Sequence, residues 1–401
     1  MPMIWLDARN MNRTGGTGVA RYTEITAECL AGAGMQPTCL TDYAPGMAPA
    51  NPHTPARQIW RRLQSLRPHY RATLHHATLG GHAADRAGQA PNAAPWAVCP
   101  DIFRIAHVKF THQGTLARVR TAAPPDIMHW TYPLPIRLEG ARNVVTVHDA
   151  VPLTHPDLTG IDSERFRRLM MRLAESTDVI VTVSETARQD IIAQCGIAPS
   201  RIHNLYQAVT FSEDELRQAR AARPPAPPGY FVHVGRVERR KNICRLVAAH
   251  ARSGTRRPLV LIGPDGDDRP DYAPFVGDTP VIRLPWSDRA TLIRTMQDAH
   301  ALLFPSLAEG FGIPIIEAML LGTPVLTARG GATGEIATKD AAILVDPLDV
   351  SAIAEGIRVL DGWGENDPAR LALIARGAAR ATRFSPDAYL DRLRGFYDSL
   401  M

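Results

Sequence analysis

The chain has 401 residues, of which 45% are hydrophobic and 21% charged, and its formal net charge at pH 7 is +5. This composition excludes a disordered chain, and so small a positive excess does not indicate a nucleic-acid partner. The five scattered cysteines include no C-x-x-C pair, and no apolar run approaches the ~18 residues of a membrane span. We therefore expect a cytoplasmic protein without a disulfide framework, a secretory signal or a transmembrane helix.

The N-terminal part begins with a predicted strand over residues 3–6 and a helix over 19–33, joined by a polar loop that contains Gly16 and Gly18. A strand, a glycine loop and a helix N-terminus together form a cradle for an anion or a sugar. Gly16 and Gly18 are therefore candidate contacts of a phosphate or a sugar. The loop is a poor dinucleotide fingerprint, because Arg21 occupies the third glycine position.

A basic amphipathic helix is predicted within residues 57–74. Arginines recur here without a carboxylate, and the apolar residues fall at roughly helical spacing: Ile59, Trp60, Leu63, Leu66, Tyr70 and Leu74. The apolar stripe could pack on the domain core or lie on an anionic membrane surface, since both uses share one pattern. Both interpretations stay open, and the second predicts a peripheral protein on the cytoplasmic membrane face.

Two histidines lie at the ends of predicted strands. Residues 143–147 form a near-continuous apolar strand, as a buried parallel strand should be, and His148 follows it. His129 lies near the end of the preceding strand, predicted over 126–130. Ligands of open α/β sheets bind at the carboxyl ends of the strands, so His148 is a candidate site residue and His129 a second, weaker one.

A proline-rich segment over residues 224–229 introduces a second series of strands and helices. Strands are predicted over residues 230–234, 259–263, 281–284 and 301–304. The alternation of strands and helices in both halves predicts an α/β protein with two doubly wound parallel sheets that face a cleft. The acidic run that starts at Asp265 favours a polar loop over a metal site, because no further oxygen ligands follow at calcium-loop spacing.

Several cations follow the strand predicted over 230–234. Arg236 and Lys241 lie between this strand and the next predicted helix, a position suited to holding a diphosphate. A solvated basic run is the alternative interpretation. We expect Arg239 and Arg240, which complete the run, to face solvent.

The stretch over residues 305–322 reads PSLAEGFGIPIIEAMLLG. Gly310 and Gly312 allow the backbone to approach a ligand closely, and the apolar helix that follows offers free N–H groups to a phosphate. Glu309 precedes this helix and Glu317 lies in its first turns. A carboxylate can accept two hydrogen bonds at once, which suits the vicinal hydroxyls of a sugar or a ribose. A Pro/Gly loop before a buried helix is also a common structural feature.

The string E-G-F-G-I-P-x-x-E-A-M-x-x-G-x-P-V, which runs from Glu309 to Val325, resembles the donor-site signature of retaining glycosyltransferases of the GT-B fold, family 4. The strings V-V-T-V-H-D, ending at Asp149, and G-R-x-x-x-x-K-N, starting at Gly235, are also similar to the family's motifs. The family's G-x-G-R-Y loop is matched at Gly16 and Gly18, with extra residues before Arg21, and the resemblance implies that this loop lies near the donor phosphates or the acceptor. The family's V-x-N-G-V-D string is absent after residue 204, so ligand contacts at that place do not transfer.

The resemblance implies the GT-B fold, with two Rossmann-like domains and a helix that crosses back from the second to the first. We place the acceptor-side domain at residues 1–207, the nucleotide-sugar domain at 208–383 and the crossing helix within 384–401. The resemblance also implies no cofactor and no protein-bound metal.

The resemblance assigns roles to the residues that match the family's motifs. Glu317 would bind the nucleotide ribose, and Glu309 would bind the sugar hydroxyls. Arg236 and Lys241 would neutralise the diphosphate. His148 would orient the transferred sugar, and His129 is a weaker candidate on the acceptor side. The remaining donor-binding candidates are backbone groups: Gly310, Phe311, Gly312, Ile313 and, beside the base, Leu284.

The implied reaction is the retaining transfer of a hexose from a nucleoside diphosphate sugar to a glycan or lipid-linked acceptor in bacterial surface polysaccharide synthesis. Mannose from GDP-mannose is the first expectation, with glucose, galactose and rhamnose as alternatives. A GT-B epimerase or phosphorylase would use the same cradle without a glycan acceptor. A sugar-nucleotide-binding protein without transferase activity is a further alternative.

Overall fold

The structure, a computed structural model, describes residues 2–11, 18–43, 54–75, 95–224, 226–266, 268–285 and 287–401. Gly16 lies outside these residues. Within them the chain alternates strands and helices, and each helix is too short or too polar to cross a bilayer. All five cysteines are unpaired.

The first half of the chain contributes two sheets and the helices around them. Its strands are β1 (Ile4–Asp7), β2 (Thr38–Thr41), β3 (Tyr70–Arg71), β4 (Thr73–His75), β5 (Trp96–Val98), β6 (Ala117–Arg120), β7 (Ile127–Trp130), β8 (Ile136–Leu138), β9 (Arg142–Val147), β10 (Val179–Thr182) and β11 (Ile202–Asn204). Its helices are α1 (Gly18–Gly32), α2 (Pro55–Gln64), α3 (Ile102–Gln113), α4 (Val151–Thr154), α5 (Ser163–Ser176) and α6 (Glu185–Cys195).

The second half follows a short helix, α7 (Glu213–Ala221), which starts with a capping box formed by Ser212 and Glu215. Its strands are β12 (Phe231–Val234), β13 (Leu259–Ile262), β14 (Val281–Leu284), β15 (Ala301–Phe304), β16 (Val325–Ala328) and β17 (Ile343–Val345). Its helices are α8 (Ile243–Ser253), α9 (Arg289–Gln297), α10 (Ile313–Leu320), α11 (Gly331–Ala337), α12 (Val350–Asp361), α13 (Pro368–Ala381) and α14 (Pro386–Ser399).

The strands pair as predicted for doubly wound sheets. In the described residues the first sheet has the order β11-β10-β9-β7-β1-β2-β5-β4 and is parallel except for the β4–β5 pair. The second has the order β14-β13-β12-β15-β16-β17 and is parallel throughout. A small sheet, β3-β6-β8, extends the first half. Nearly every residue of the central strands is buried, because helices cover both faces of each sheet.

The last helix packs against the first half of the chain. The Tyr389 hydroxyl lies 3.0 Å from Thr26 Oγ1 of α1, and Arg392 Nε donates to the Leu205 carbonyl oxygen at 2.7 Å. Apolar side chains of both halves and of α14 form one continuous buried cluster. The division at residues 207 and 383 stays our proposal, and these contacts support the crossing helix within it.

The basic amphipathic helix differs from its prediction in length and in orientation. It ends at Gln64, and Pro68 prevents its continuation, so Tyr70 and Leu74 belong to β3 and β4 instead. Its apolar side chains face solvent, with exposed fractions of 64% at Ile59 and 61% at Leu63. The interpretation that this stripe packs on the domain core is therefore wrong.

An ion pair explains why α2 lies with its apolar side outward. Arg61 is buried, and its Nη2 lies 3.0 Å from Asp101 Oδ1. Arg57 reaches the same carboxylate at 3.4 Å. A buried carboxylate needs cationic partners, so these two arginines face the domain and the opposite side of the helix faces water.

Candidate active site

Two loops of the second half meet where the strand order of its sheet reverses, between β12 and β15. Ligands of open α/β sheets bind beyond the carboxyl ends of the strands at such a point. The 3₁₀ turn Arg239–Lys241 follows β12, and the loop that contains Glu309 follows β15. The two segments predicted to bind the donor therefore converge at the switch point.

The Glu309 carboxylate is buried between two cations. Its Oε1 accepts a hydrogen bond from Lys241 Nζ at 2.6 Å, and its Oε2 accepts one from Arg240 Nη1. Burial acts to raise the pKa of Glu309, but the charges of Arg240 and Lys241 outweigh it and lower the pKa to about 2. Glu309 is therefore ionised at neutral pH and able to accept hydrogen bonds from hydroxyl groups.

The Lys241 side chain is buried next to Gly235. A Cβ at Gly235 would lie 3.1 Å from Lys241 Cε, so a glycine leaves room for the lysine. Burial lowers the pKa of the Lys241 amine, and the Glu309 charge acts against this effect. Asn242, in the left-handed conformation, donates from Nδ2 to the Pro305 carbonyl oxygen at 3.1 Å. This bond ties the lysine turn to the Glu309 loop.

Arg240 does not face solvent, so that prediction is wrong. It is partly buried and pairs with Glu238, at 2.6 Å, as well as with Glu309. The 3₁₀ turn directs Arg240 and Lys241 inward, where two carboxylates balance their charge. Arg239 is exposed, as predicted.

Arg236 was predicted to hold the diphosphate together with Lys241. In the structure it is exposed, and its Nη1 donates to the Asp265 carbonyl oxygen at 3.1 Å. The ionic contacts of Glu309 are made by Lys241 and Arg240 instead. A direct role of Arg236 in binding the donor stays a prediction.

Gly310 and Gly312 shape the loop before α10. A Cβ at Gly310 would lie 2.3 Å from the His148 carbonyl oxygen, so only glycine allows this contact between the two halves. Ser184 Oγ donates to the Gly310 carbonyl oxygen at 2.7 Å, also across the cleft. Gly312 has a φ of +105° and directs the chain into α10.

The other backbone candidates lie on either side of this loop. Phe311 is buried and meets the Phe384 ring edge-on, with centroids 5.3 Å apart. Ile313 is the first residue of α10, and its Cδ1 would lie 3.0 Å from a Cβ at Gly18. The first turn of α1 therefore faces the first turn of α10 across the cleft.

The Glu317 carboxylate, predicted to bind a ribose, already has a partner. Arg289 Nη1 lies 2.7 Å from Glu317 Oε1, and Arg289 Nε lies 3.3 Å from Glu215 Oε1. Arg21 Nη2 of α1 reaches the other oxygen of Glu215 at 3.4 Å. A chain of ion pairs therefore connects Arg21 in the first half to Glu317 in the second, around a small cavity between them.

His148 lies at the carboxyl end of β9 and faces the cleft. Its Nε2 is 2.8 Å from the Thr131 carbonyl oxygen, so this nitrogen must carry a proton and Nδ1 holds the lone pair. Burial lowers the pKa of His148 to about 4, so the ring is neutral at pH 7. Its ring meets that of Tyr22 edge-on, at 4.9 Å between centroids.

His129 lies in the protein core and not at the cleft surface. Its Nδ1 is 2.6 Å from the Tyr397 hydroxyl of α14, and its Nε2 is 2.7 Å from Thr146 Oγ1. Burial lowers its pKa to about 3. With both ring nitrogens bonded to protein groups, this placement supports a structural link to α14 and gives no support to an acceptor contact.

Leu284 ends β14, and its carbonyl oxygen accepts hydrogen bonds from the Gly263 N–H, at 3.0 Å, and from the Arg283 side chain. Arg283 Nη2 also lies 3.0 Å from Asp265 Oδ1 in the predicted polar loop. Across the described ranges, no group of three or more His, Cys, Asp or Glu side chains is placed to hold a metal ion.

The sequence analysis did not identify Arg289 as a partner of Glu317, nor Glu335 as a contact between the two halves. Arg289 is the first residue of α9, where the helix dipole disfavours a cation, so an arginine there could have suggested a partner outside the helix. Glu335 accepts hydrogen bonds from the backbone N–H groups of Glu185 and Thr186, both at 2.8 Å. No local signal predicts this contact, because 150 residues separate Glu335 from Glu185.

The family models agree with this architecture. Residues 16–212 match the model described as Glycosyltransferase Family 4, and residues 214–376 match Glycosyl transferases group 1. The sucrose-phosphate synthase structure from Thermosynechococcus elongatus superimposes with a TM-score of 0.65 at 18% identity, covering 100% of this chain and 99% of that chain. This likeness shows that the fold is GT-B.

Two curated bacterial proteins are similar in sequence. O-antigen chain mannosyltransferase B of Escherichia coli is 32% identical over 276 residues, which are 63% of this chain and 68% of that protein. O-antigen chain mannosyltransferase RfbU of Salmonella typhimurium is 28% identical over 244 residues, which are 58% of this chain and 63% of that protein. The chain therefore belongs to the family 4, or group 1, glycosyltransferases.

Proposed function

We propose that the protein transfers mannose from GDP-mannose to a glycan or lipid-linked acceptor, with retention at the anomeric carbon, in the synthesis of a bacterial surface polysaccharide. The observation that carries the proposal is the buried Glu309 carboxylate between Lys241 and Arg240 at the switch point of the second sheet. Mannose and the surface polysaccharide rest on the names of the two curated relatives.

In this proposal the donor site places a negatively charged side chain next to the sugar and a positively charged one next to the leaving group. Glu309 accepts hydrogen bonds from the sugar hydroxyls, while Lys241 donates to the diphosphate, on which negative charge develops as the glycosidic bond breaks. Arg240 keeps Glu309 ionised when Lys241 turns to the phosphate. His148 orients the sugar from the opposite domain, and the acceptor attacks from the face that the diphosphate leaves.

The reaction can be tested by supplying GDP-mannose and an oligosaccharide acceptor that ends in mannose, and by analysing the product by NMR. We expect GDP release that requires the acceptor and an α-linked mannose, identified by its one-bond C1–H1 coupling. A β-linked product would contradict retention. Transfer from UDP-glucose but not from GDP-mannose would contradict the proposed donor.

The alternative activities differ in their co-substrate. An epimerase would convert the sugar nucleotide without any acceptor, and a phosphorylase would depend on free phosphate. We expect neither activity, because the proposed reaction requires a glycan acceptor in the cleft between the two halves. Turnover of GDP-mannose at a rate that does not depend on the acceptor would favour the epimerase.

We also propose that the outer side of α2 docks on an anionic membrane, where a lipid-linked acceptor would be presented. Its exposed apolar side chains, Ile59, Trp60, Leu63 and Leu66, are flanked by the exposed Arg62 and Arg67. An exposed apolar stripe with a basic rim is typical of helices that lie in a membrane interface. Arg57 and Arg61 are not part of this surface, because both pair with Asp101.

Vesicle sedimentation tests this surface. We expect the Ile59→Ser/Leu63→Ser variant to lose most of its binding to vesicles of phosphatidylglycerol and phosphatidylethanolamine, because it removes apolar contact with the acyl chains. The matched control is Leu371→Ser, which replaces an exposed leucine of α13. Equal sedimentation of the wild type and the α2 variant would refute membrane docking through this helix.

A further inference from the structure

The positive charge of the chain is concentrated in one stretch of its first half. Residues 54–142 contain twelve arginines and lysines against four aspartates and glutamates. This stretch therefore has a formal net charge of +8, more than the +5 of the whole chain, and the remaining residues together are net negative. A positive excess confined to one region attracts an anionic partner to that region.

Four of these arginines share one face of the small sheet β3-β6-β8. Arg71 of β3 is in register with Arg120 of β6, and Arg118 of β6 is in register with Arg137 of β8. Residues in register on neighbouring strands project to the same side of a sheet, as do residues two apart on one strand. The four side chains therefore lie on one side of the sheet, which we call the arginine face.

The arginine face is turned to solvent. The residues that alternate with the arginines of β6, Ala117 and Val119, are fully buried. The side chains of Arg118 and Arg120 are 64% and 56% exposed, and Arg71 is exposed as well. The small sheet thus has an apolar inner side and a strongly basic outer side.

The carboxylates next to this face neutralise it only in part. Glu139 pairs with Arg120 and lies 3.7 Å from Arg118, so it serves two arginines at once. Asp178 lies 4.0 Å from the arginine of β8. Arg71 has no ion-pair partner among the described residues. Like charges on neighbouring strands repel each other, so an anionic surface placed over the face would be stabilising.

Protection of the sheet edges does not account for these charges. Charged side chains on an edge strand prevent its pairing with another chain. In the described part of the small sheet, however, β6 is the central strand, and it carries two of the four arginines. The charges are therefore a property of the face and not of the edges.

The arginine face adjoins the exposed side of α2. Only residues 65–69 separate the end of α2 from β3, and Leu66 and Arg67 within this connection are exposed. The Tyr70 hydroxyl donates to the Gln64 carbonyl oxygen at 2.9 Å, which ties β3 to the last turn of α2. The basic face and the apolar stripe therefore keep a fixed relation to each other.

Resting on the proposed function, we propose that the arginine face binds the anionic lipid headgroups of the membrane on which α2 docks. The apolar side chains of α2 would enter the interface, while the arginines are attracted to the negative surface beside it. A membrane suits this region better than a soluble polyanion, because it offers an apolar layer next to the negative charges.

Sedimentation with vesicles of phosphatidylglycerol and phosphatidylethanolamine tests this assignment. The variant Arg71→Gln/Arg118→Gln removes two charges of the face and leaves Arg120 paired with Glu139. We expect its partition coefficient to be about tenfold lower than that of the wild type at low salt. At high salt the two proteins should bind nearly equally, because the charges are screened and the apolar contact of α2 remains.

Two further variants complete the design. The matched control is Arg217→Gln/Arg358→Gln, which removes two exposed arginines of α7 and α12 and changes the net charge equally. It should bind vesicles like the wild type. Glu139→Gln removes a carboxylate from the arginine face and should bind more tightly than the wild type.

Two outcomes would overturn this inference alone. Equal vesicle binding of the wild type and Arg71→Gln/Arg118→Gln at low salt would remove the role of the arginine face and leave docking through α2 standing. A variant that binds vesicles normally but has lost binding to soluble polyphosphate would assign the face to a soluble polyanion instead.

Assays of transfer to a soluble acceptor separate the membrane surface from the proposed reaction. We expect Arg71→Gln/Arg118→Gln to transfer at the rate of the wild type, which also shows that it is folded. A wild type that transfers mannose but does not sediment with vesicles would overturn both membrane surfaces. Vesicle binding without transfer to any acceptor would overturn the proposed reaction and not the arginine face.

Discussion

The charged side chains of the candidate site come from distant parts of the chain. Glu309 and Lys241 are 68 residues apart in sequence, yet their charged atoms lie 2.6 Å from each other. Arg289 similarly links Glu317 of α10 to Glu215 of α7. Each carboxylate predicted to bind the donor is therefore oriented by cations before any ligand arrives, which lowers the entropic cost of binding.

Arg289 provides a test of this arrangement. Replacing it by methionine removes the cation that orients Glu317 and leaves a buried carboxylate unpaired. We expect the KM for the sugar nucleotide to rise about tenfold, which corresponds to about 1.4 kcal/mol, with a smaller change in kcat. The measurement is initial-rate kinetics over a range of donor concentrations.

Arg289→Lys is the matched variant, because it keeps the charge and should recover part of the affinity. Arg294→Met, which removes a partly buried arginine of the same helix that pairs with Asp298 and not with Glu317, serves as the control for effects on α9 alone. A donor KM that is unchanged in Arg289→Met would contradict a positioning role for this residue.

The residues of the site differ in how well the sequence predicts their placement. The spacing from Glu309 to Glu317 follows from a loop and a helix that are contiguous in the chain, so local pattern was enough. The 3₁₀ turn and carboxylates far away in the sequence determine which of the cations from Arg236 to Lys241 turn inward. The sequence analysis therefore placed Arg240 in solvent, although it is adjacent to Lys241, which it expected to face the site.

Among the elements, α14 is attached to the first half of the chain by buried hydrogen bonds. His129 bonds Tyr397 of α14 on one side and Thr146 of β9 on the other. Tyr389 of the same helix meets hydroxyl groups of α1. Such buried polar bonds favour one docking position of the helix, because any other position would leave the donors and acceptors unpaired.

This attachment makes stability depend on pH. The folded pKa of His129, about 3, lies below the ordinary value of 6.5, so the unfolded chain binds its proton more tightly. Stability from the neutral ring is present above pH 6.5 and is lost as the pH falls toward 3. We expect His129→Gln to lose less stability than the wild type over this range, by up to about 1.4 kcal/mol per pH unit.

Urea unfolding of both proteins between pH 7 and pH 4 measures this difference, and the glutamine keeps a group that can hydrogen-bond to a hydroxyl. His203→Gln, at an exposed histidine of β11, is the control. Parallel stability curves for the wild type and His129→Gln would show that His129 does not titrate differently in the folded protein.

The elements themselves follow from the sequence where their signals are local. Helix α5 has such signals, because Asp162 caps it and its apolar positions repeat at helical spacing. Helix α2 was predicted too long, since the apolar spacing continued past Pro68 while the backbone could not. Its outward orientation is set by Asp101 of another segment, which no local pattern reveals.

At the scale of the whole molecule, the two halves are in contact across the cleft. Glu335 of α11 accepts hydrogen bonds from two backbone N–H groups at the start of α6 and from Thr186 Oγ1, at 2.7 to 2.8 Å. Ser184, the N-cap of α6, donates to Gly310 of the donor loop. A helix N-terminus of one half is thus held by a carboxylate of the other, which favours the closed arrangement.

We expect Glu335→Ala to shift the protein toward an open arrangement. The loss of these hydrogen bonds leaves the first N–H groups of α6 to water, which they can reach only if the halves separate. Small-angle X-ray scattering should give a larger radius of gyration than for the wild type. Glu355→Ala, on the exposed side of α12, should scatter like the wild type. Identical scattering of Glu335→Ala and the wild type would contradict this role.

We propose that this cleft transfers a glycosyl group with Lys241 and Glu309 at its donor site. The most direct test compares GDP release from GDP-mannose, with acceptor present, for the wild type, Lys241→Ala and Arg239→Ala. Arg239 belongs to the same turn but is exposed. We expect kcat/KM to fall at least tenfold in Lys241→Ala, which corresponds to about 1.4 kcal/mol, and to be nearly unchanged in Arg239→Ala. Equal rates for the two variants would contradict this proposal.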